Sequence, residues 1–288
     1  MIIVNLKGGL GNQMFQYALG RKLAQKNNDL LKLDTDGLRR ANELGDIYRP
    51  FSLEQFNIIK NIAEPEEVRA LKYPFGIISK GLRWSNLHIL RRTHTVYEKD
   101  ILEKTGDIFL DGFWQSPLYF TDIKEILLKE FTLSKPFSEA GAIFAEQIKN
   151  SPAVALHVRR GDYIKNPRVE KEFGPCSLDF YKNAMAEIEK VLPEPTYFVF
   201  SDDLPWVKEN LPLGNKAVFV KGTGMTDAED LILMSMCQHN IIANSSFSWW
   251  SGWLNPNPNK VVIAPTPWFN LSPYDKNLIP ESWLQLPK

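Results

Sequence analysis

The segment His157-Val158-Arg159-Arg160-Gly161-Asp162-Tyr163 puts an imidazole, two guanidiniums and a carboxylate next to one another. A guanidinium grips phosphate oxygens through two parallel N–H bonds, so this composition suits a phosphate-bearing ligand. His157 and Arg159 are two residues apart and share one face if the segment ends a strand. A second segment, Asn244-Ser245-Ser246-Phe247-Ser248, places small polar residues where a helix would begin. Unpaired N–H groups at a helix start attract anions. Together the two segments would hold a diphosphate without a metal. Two blander readings compete with this one. Arg159, Arg160 and Asp162 could form a structural ion-pair knot, and Asn244 with its serines could be a simple helix cap.

Those segments need a scaffold that brings them together. From Ala153 onward the chain alternates strands and helices. Strands are expected at 153–158, 197–200, 217–220, 241–243 and 261–263. Helices are expected at 178–191, 205–210, 226–237 and 247–254, with Thr226 and Glu229 forming a capping box. Alternation of this kind predicts a parallel, doubly wound sheet. Ligands of such sheets bind outside the carboxyl ends of the strands. His157 to Asp162, Ser201-Asp202-Asp203, Lys221 to Gly224 and Asn244 to Ser248 all fall at those ends.

The first half reads similarly but less regularly. A strand at 2–6 runs into Gly8-Gly9-Leu10-Gly11-Asn12-Gln13, and a helix follows with Phe15, Leu19 and Leu23 on one stripe. Further strands are expected at 30–33 and 108–110, and a helix at 121–131. Residues 36–105 carry no clear pattern. Ser134 to Ser138 reads as a linker, with Ser138 capping a helix to Lys149. A dinucleotide fingerprint would need glycine at position 14, which is Met14, so an oxidoreductase is the weaker alternative. Asp34-Thr35-Asp36 spells a metal-binding triplet but is read here as a turn or cap. The aromatic run Phe113, Trp114, Tyr119 and Phe120 beside Gln115 is expected to give mostly core, with one or two residues for a sugar-binding wall. Trp249, Trp250 and Trp253 are expected to pack on the sheet.

Composition narrows the partners. Lys plus Arg equals Asp plus Glu at 34 each, so no bulk charge draws nucleic acid. Cys176 and Cys237 form no CxxC pair, which predicts reduced thiols and no zinc site. No segment approaches the roughly 20 apolar residues of a membrane helix.

The motifs Gly8 to Ala18, His157 to Tyr163, Ser201 to Asp203 and Asn244 to Trp250, with Phe113 to Ser116 and Leu178 to Tyr181, resemble those of the bacterial α-1,2-fucosyltransferase family, glycosyltransferase family 11. One departure is Ser251-Gly252, where bacterial members often carry Gly-Ala. The resemblance implies an α/β fold of GT-B type, two Rossmann-like lobes with a cleft between them. Residues 1–137 would be the acceptor side and 138–288 the donor side. It implies inverting transfer of L-fucose from GDP-fucose to O2 of a terminal galactose on a glycan acceptor, without cofactor or metal. Another fucosyl linkage is the nearest alternative, and a non-catalytic sugar-nucleotide binder is a further one. Donor contacts are expected from His157, Arg159, Arg160, Asp202, Asp203, Asn244, Ser245, Ser246 and Ser248. Acceptor contacts are expected from Gln13, Trp114 and Gln115. Arg159, Asp162 and Asn12 are expected at the reacting centre. Asp162 is the first candidate for the base, with orientation of an arginine as its other reading. The implied setting is cytoplasmic, compatible with loose association with the inner membrane surface.

Overall fold

The computed structural model describes residues 1–38, 49–72, 87–91, 96–271 and 277–288. Two compact units result, Met1–Ser134 and Lys135–Lys288, and the division falls inside the expected Ser134–Ser138 linker. The N-terminal unit holds a parallel sheet in the order β2-β1-β4-β3. These strands are β1 (Ile2–Asn5), β2 (Leu31–Asp34), β3 (Leu87–Arg91) and β4 (Asp107–Asp111). All four residues of β1 are buried, as a strand covered on both faces requires. The helix α1 (Leu10–Asn27) packs onto this sheet through Gly20. A Cβ there would press into the Val4 methyl and come within 3.0 Å of Leu31.

The C-terminal unit has a six-stranded parallel sheet in the order β10-β9-β8-β5-β6-β7. Its strands are β5 (Ala153–Val158), β6 (Thr196–Ser201), β7 (Ala217–Phe219), β8 (His239–Ile241), β9 (Val262–Thr266) and β10 (Leu284–Pro287). Numbered within the unit, this is the dinucleotide-fold order 3-2-1-4-5-6 read from the other edge. Alternation along β5 divides the core between two faces. Val154, Leu156 and Val158 pack with Phe180, Ala184 and Ile188 on one side. Ala153 and Ala155 pack with Ala145, Ile148, Leu233 and Met234 on the other. Connections from β5 and β8 leave in opposite directions, which makes their carboxyl ends the switch point where such sheets bind ligands.

Local sequence accounts for the helices that wrap this sheet. The helix at Glu139–Lys149 is capped by Ser138, whose hydroxyl accepts from the Gly141 N–H. The helix at Asp227–Met236 starts with a reciprocal capping box between Thr226 and Glu229. Trp249 and Trp250 are fully buried in the helix at Ser246–Leu254. Gly252 sits where a Cβ would meet Val262 at 2.8 Å, which explains a small residue there.

The structure differs from the sequence expectation in several places. β8 starts at His239, two residues before the expected strand, yet Ile242 and Ala243 are equally buried. The apolar run is longer than the strand, so hydrophobicity alone misplaces its ends. Helices at Pro65–Lys72, Gly161–Lys165 and Pro167–Glu172 were not expected, and neither were β3 and β10. All five are eight residues or fewer, too short to show a period. The triplet at 34–36 forms a turn in which the Asp34 carboxylate accepts the Asp36 N–H at 3.0 Å. Within 36–105, residues 39–48, 73–86 and 92–95 lie outside the described residues.

Gly20→Ala sets two effects against each other. Helix propensity would gain up to about 1 kcal/mol. Overpacking a stiff, buried Val4 costs about 1–3 kcal/mol. The clash outweighs the gain over most of that range, so denaturant unfolding should show a net loss of up to about 2 kcal/mol. A more stable variant would contradict this packing.

Candidate active site

Strand register builds the C-terminal site. β5 and β6 pair Val158 with Ser201, so one further step sets Arg159 beside Asp202. The Arg159 Nη1 lies 3.0 Å from an Asp202 carboxylate oxygen, and Nη2 donates to Asp162 at 2.7 Å. The Nη2 contact is a hydrogen bond and the Nη1 contact an ion pair, so guanidinium N–H donors remain for a ligand. Asp202 also accepts the Arg160 backbone N–H at 2.9 Å. Gly161 is required here, because a Cβ would stand 2.5 Å from the Asp202 carboxylate. The Arg160 side chain turns elsewhere. It donates to Asp203 at 3.2 Å and stacks 3.7 Å over the Trp206 ring. Asp203 also caps the helix at Leu204–Asn210 by accepting the Trp206 N–H.

The loop after β8 meets this one. Tyr163 donates its hydroxyl to the Asn244 carbonyl at 2.8 Å, and the His157 and Phe247 rings lie 5.8 Å apart. The nine-residue helix at Ser246–Leu254 starts without a side-chain cap on its N-terminal N–H groups. Ser245 and Ser246 are partly exposed beside it. Such a start carries about half a positive charge. That matters because three carboxylates surround two arginines, so the loop has no net positive charge to attract an anion. Directed N–H donors, not bulk potential, must select the ligand.

His157 is buried, and its Nδ1 has no hydrogen-bond partner. Burial first, then the Arg159 charge, holds its pKa down to about 3, with Asp202 opposing. The imidazole is therefore neutral at physiological pH and can accept or donate a single hydrogen bond.

Two expected donor contacts prove structural, and the expectation is corrected for both. Asn244 is fully buried, and its amide donates to the carbonyls of Phe173, Gly174 and Trp268. Its carbonyl oxygen accepts from the Cys176 thiol. Ser248 is equally buried and donates to the Ala243 and Ser245 carbonyls. Both shape the loop from behind.

The N-terminal unit builds a second polar cluster at its own carboxyl strand ends. Gly8 has φ +76°, and a Cβ there would lie 2.6 Å from Asn12 Nδ2. Gln13 and Gln16 hold the glycine loop. Gln13 donates to the Gly8 and Pro50 carbonyls, and Gln16 bonds both the N–H and the carbonyl of Lys7. Gln13 is fully buried by this and Trp114 is 2% exposed, so neither offers the direct acceptor contact expected of it. Asn12 stays partly exposed, and Gln115 donates to its Oδ1 at 2.7 Å. Sequence reasoning passed over Lys7, Asn5 and Asp111. Lys7 and Asn5 both donate to Asp111 at 2.9 Å. Burial pushes the Asp111 carboxyl up, but Lys7 and Asn5 outweigh it and the net shift is downward.

Two parallel-sheet units, the second in dinucleotide-fold order, give the chain a fold of the GT-B type. Solved structures with this fold include fucosyltransferase NodZ from Bradyrhizobium, with a TM-score of 0.50 at 16% identity over 87% of this chain and 91% of that one. A mutant of Arabidopsis thaliana FUT1 in complex with GDP matches with a TM-score of 0.51 at 13% identity, over 91% of this chain and 69% of that one. The chain belongs to glycosyl transferase family 11, whose model matches residues 75–283. An alpha-1,2-colitosyltransferase of Escherichia coli is 33% identical over 100% of this chain and 99% of its own length. The Escherichia coli O-antigen biosynthesis glycosyltransferase WbnK is 33% identical over 98% and 99%. A mouse galactoside 2-alpha-L-fucosyltransferase, Sec1, is 25% identical over 88% and 64%.

Asp230 was also missed from the sequence, although three acids in the first turn of its helix are a visible signal. Burial, then repulsion from Asp227 and Glu229, raises its pKa to about 7. The folded state thus holds this proton more tightly than the unfolded chain does. Stability attached to it is present below about pH 4 and is lost as pH rises through about 7. Asp230→Asn should therefore raise thermal stability at pH 8 by about 1–4 kcal/mol and change little at pH 4. Melting curves at both pH values check this; an equal gain at both would contradict it.

Proposed function

We propose that this family 11 glycosyltransferase transfers L-fucose from GDP-fucose to O2 of a terminal galactose on a glycan, inverting the anomeric centre without a metal. One observation carries the reading: a guanidinium with free donors and an uncapped helix start adjoin at the switch point of a dinucleotide-type sheet. Departure of GDP builds negative charge on the β-phosphate. Arg159 and the first N–H groups of the Ser246–Leu254 helix are fixed in advance where such charge would be stabilised. Ser245 and Ser246 add hydroxyls, and His157 supplies a neutral hydrogen-bonding edge for the nucleotide. Arg160, Asp202 and Asp203 hold Arg159 and its loop in place.

We assign Asp162 to orienting Arg159, since its carboxylate accepts the Arg159 Nη2 N–H at 2.7 Å. Asn12, steadied by Gln115, is assigned to the reacting oxygens, and the N-terminal unit to the acceptor. A cytoplasmic setting fits the observation that no described helix is long and apolar enough to cross a membrane. Among the described residues no cluster of three His, Cys, Asp or Glu side chains could hold a metal ion.

The colitosyl relative favours one second reading, transfer of colitose, which is fucose lacking the 3-hydroxyl. A site built to hydrogen-bond that hydroxyl rejects the deoxy sugar strongly, whereas the reverse discrimination is weak. Transfer assays on a β-galactoside with GDP-fucose and GDP-colitose, each with EDTA, separate the readings. The proposal expects fucosyl transfer undiminished by EDTA. Transfer of colitose alone, or loss of activity with EDTA, would overturn it.

Two variants test the roles. Arg159→Ala should lower kcat/KM by at least about 100-fold, roughly 3 kcal/mol. Activity within tenfold of wild type would remove Arg159 from the phosphate. Asp162→Asn should weaken GDP binding measured by calorimetry by about tenfold, a typical loss for one charge-assisted bond. Unchanged GDP affinity with slow transfer would restore Asp162 as the base.

A further inference from the structure

The segment that delivers Gln115 to Asn12 is unusually constrained. Trp114 has φ +54°, a conformation that bulky L-residues rarely adopt. Its carbonyl accepts the Ser116 N–H at 2.8 Å, closing a three-residue turn with Gln115 at the centre. Ser116 then caps the turn at Pro117–Tyr119 by accepting the Leu118 N–H. The Trp114 ring meets Tyr119 edge-on at 6.2 Å, and the Tyr119 hydroxyl accepts the Glu98 N–H at 2.9 Å. The Trp114 Nε1 is buried with no hydrogen-bond partner. A strained backbone and an orphaned donor at one residue are both unfavourable, and they persist where surrounding structure holds a functional geometry.

That geometry is the direction of one amide. Gln115 is 8% exposed and donates Nε2 to Asn12 Oδ1 at 2.7 Å. Asn12 Oδ1 accepts this bond, and Nδ2 lies 2.6 Å from where a Cβ at position 8 would stand, room that glycine leaves for it. We propose that Gln115 is a positioning residue that locks the Asn12 amide so that it offers substrate its N–H donors and not its carbonyl. This rests on the reading above that Asn12 sits at the reacting centre. An amide so held turns its Nδ2 donors away from Gln115, which suits a ligand oxygen that carries or gains negative charge. Without the lock the two amide orientations would compete.

Gln115→Glu reverses the lock, because a carboxylate accepts only and draws Asn12 Nδ2 toward itself. Its kcat should fall by about 30-fold or more, with GDP affinity within about twofold. Gln115→Met, which keeps the bulk but neither donates nor accepts strongly, should lose only about five- to tenfold. In an Asn12→Ala background the Glu substitution should change kcat by less than about threefold, since nothing remains to orient. If Asn12→Ala is slow but Gln115→Glu turns over normally, or if the two losses multiply, the lock is overturned. If Asn12→Ala itself turns over like wild type, the placement of Asn12 at the centre falls, and the lock with it. Should Gln115→Glu fail to fold, Gln115→Met carries the same cycle, and full multiplicativity there overturns the lock.

Discussion

A single guanidinium held between two carboxylates organises the C-terminal unit. Arg159 touches Asp162 in its own loop and Asp202 at the end of the neighbouring strand. Register in the sheet therefore decides where the charge stands, because Asp202 reaches Arg159 only when Val158 pairs with Ser201. A slip by one residue would turn His157 and Arg159 to the opposite face. The side chain of Arg159 is 25% exposed. It is buried enough for its hydrogen bonds to be strong and open enough to meet a ligand.

The surrounding residues make sense as support for that arrangement. Gly161 leaves room for Asp202, Tyr163 ties the loop to Asn244, and Asn244 ties the next loop to three carbonyls. The N-terminal unit follows the same logic with amides in place of charges. Gln13 and Gln16 fix the glycine loop, and Gln115 fixes Asn12. In both units several of the most buried polar residues of the motifs serve the backbone, which leaves half-exposed ones, together with the buried His157, for substrate.

This division explains what could be read from the sequence. The alternation of the C-terminal half, the capping box at Thr226 and the cap at Ser138 are local patterns, and they appear where expected. The placement of Arg159, Asp202 and Ser245 at one sheet edge also follows from strand ends alone. Burial does not. Asn244, Ser248, Gln13 and Trp114 have the chemistry of ligand contacts, but tertiary packing turns them inward. Asp111 and Lys7 are far apart in sequence and meet only because β1 and β4 are neighbours. The short elements β3 and β10 carry too few residues for a period to emerge.

The central claim is that Arg159 reads phosphate, and it can be isolated from every other contact by varying ligand and residue together. Calorimetric affinities of GDP and guanosine should be compared in the wild-type chain and in Arg159→Ala. Wild type should favour GDP by at least about 100-fold, and the substitution should erase about tenfold or more of that preference while leaving guanosine binding nearly unchanged. A preference for GDP that survives the loss of Arg159 intact would contradict the account.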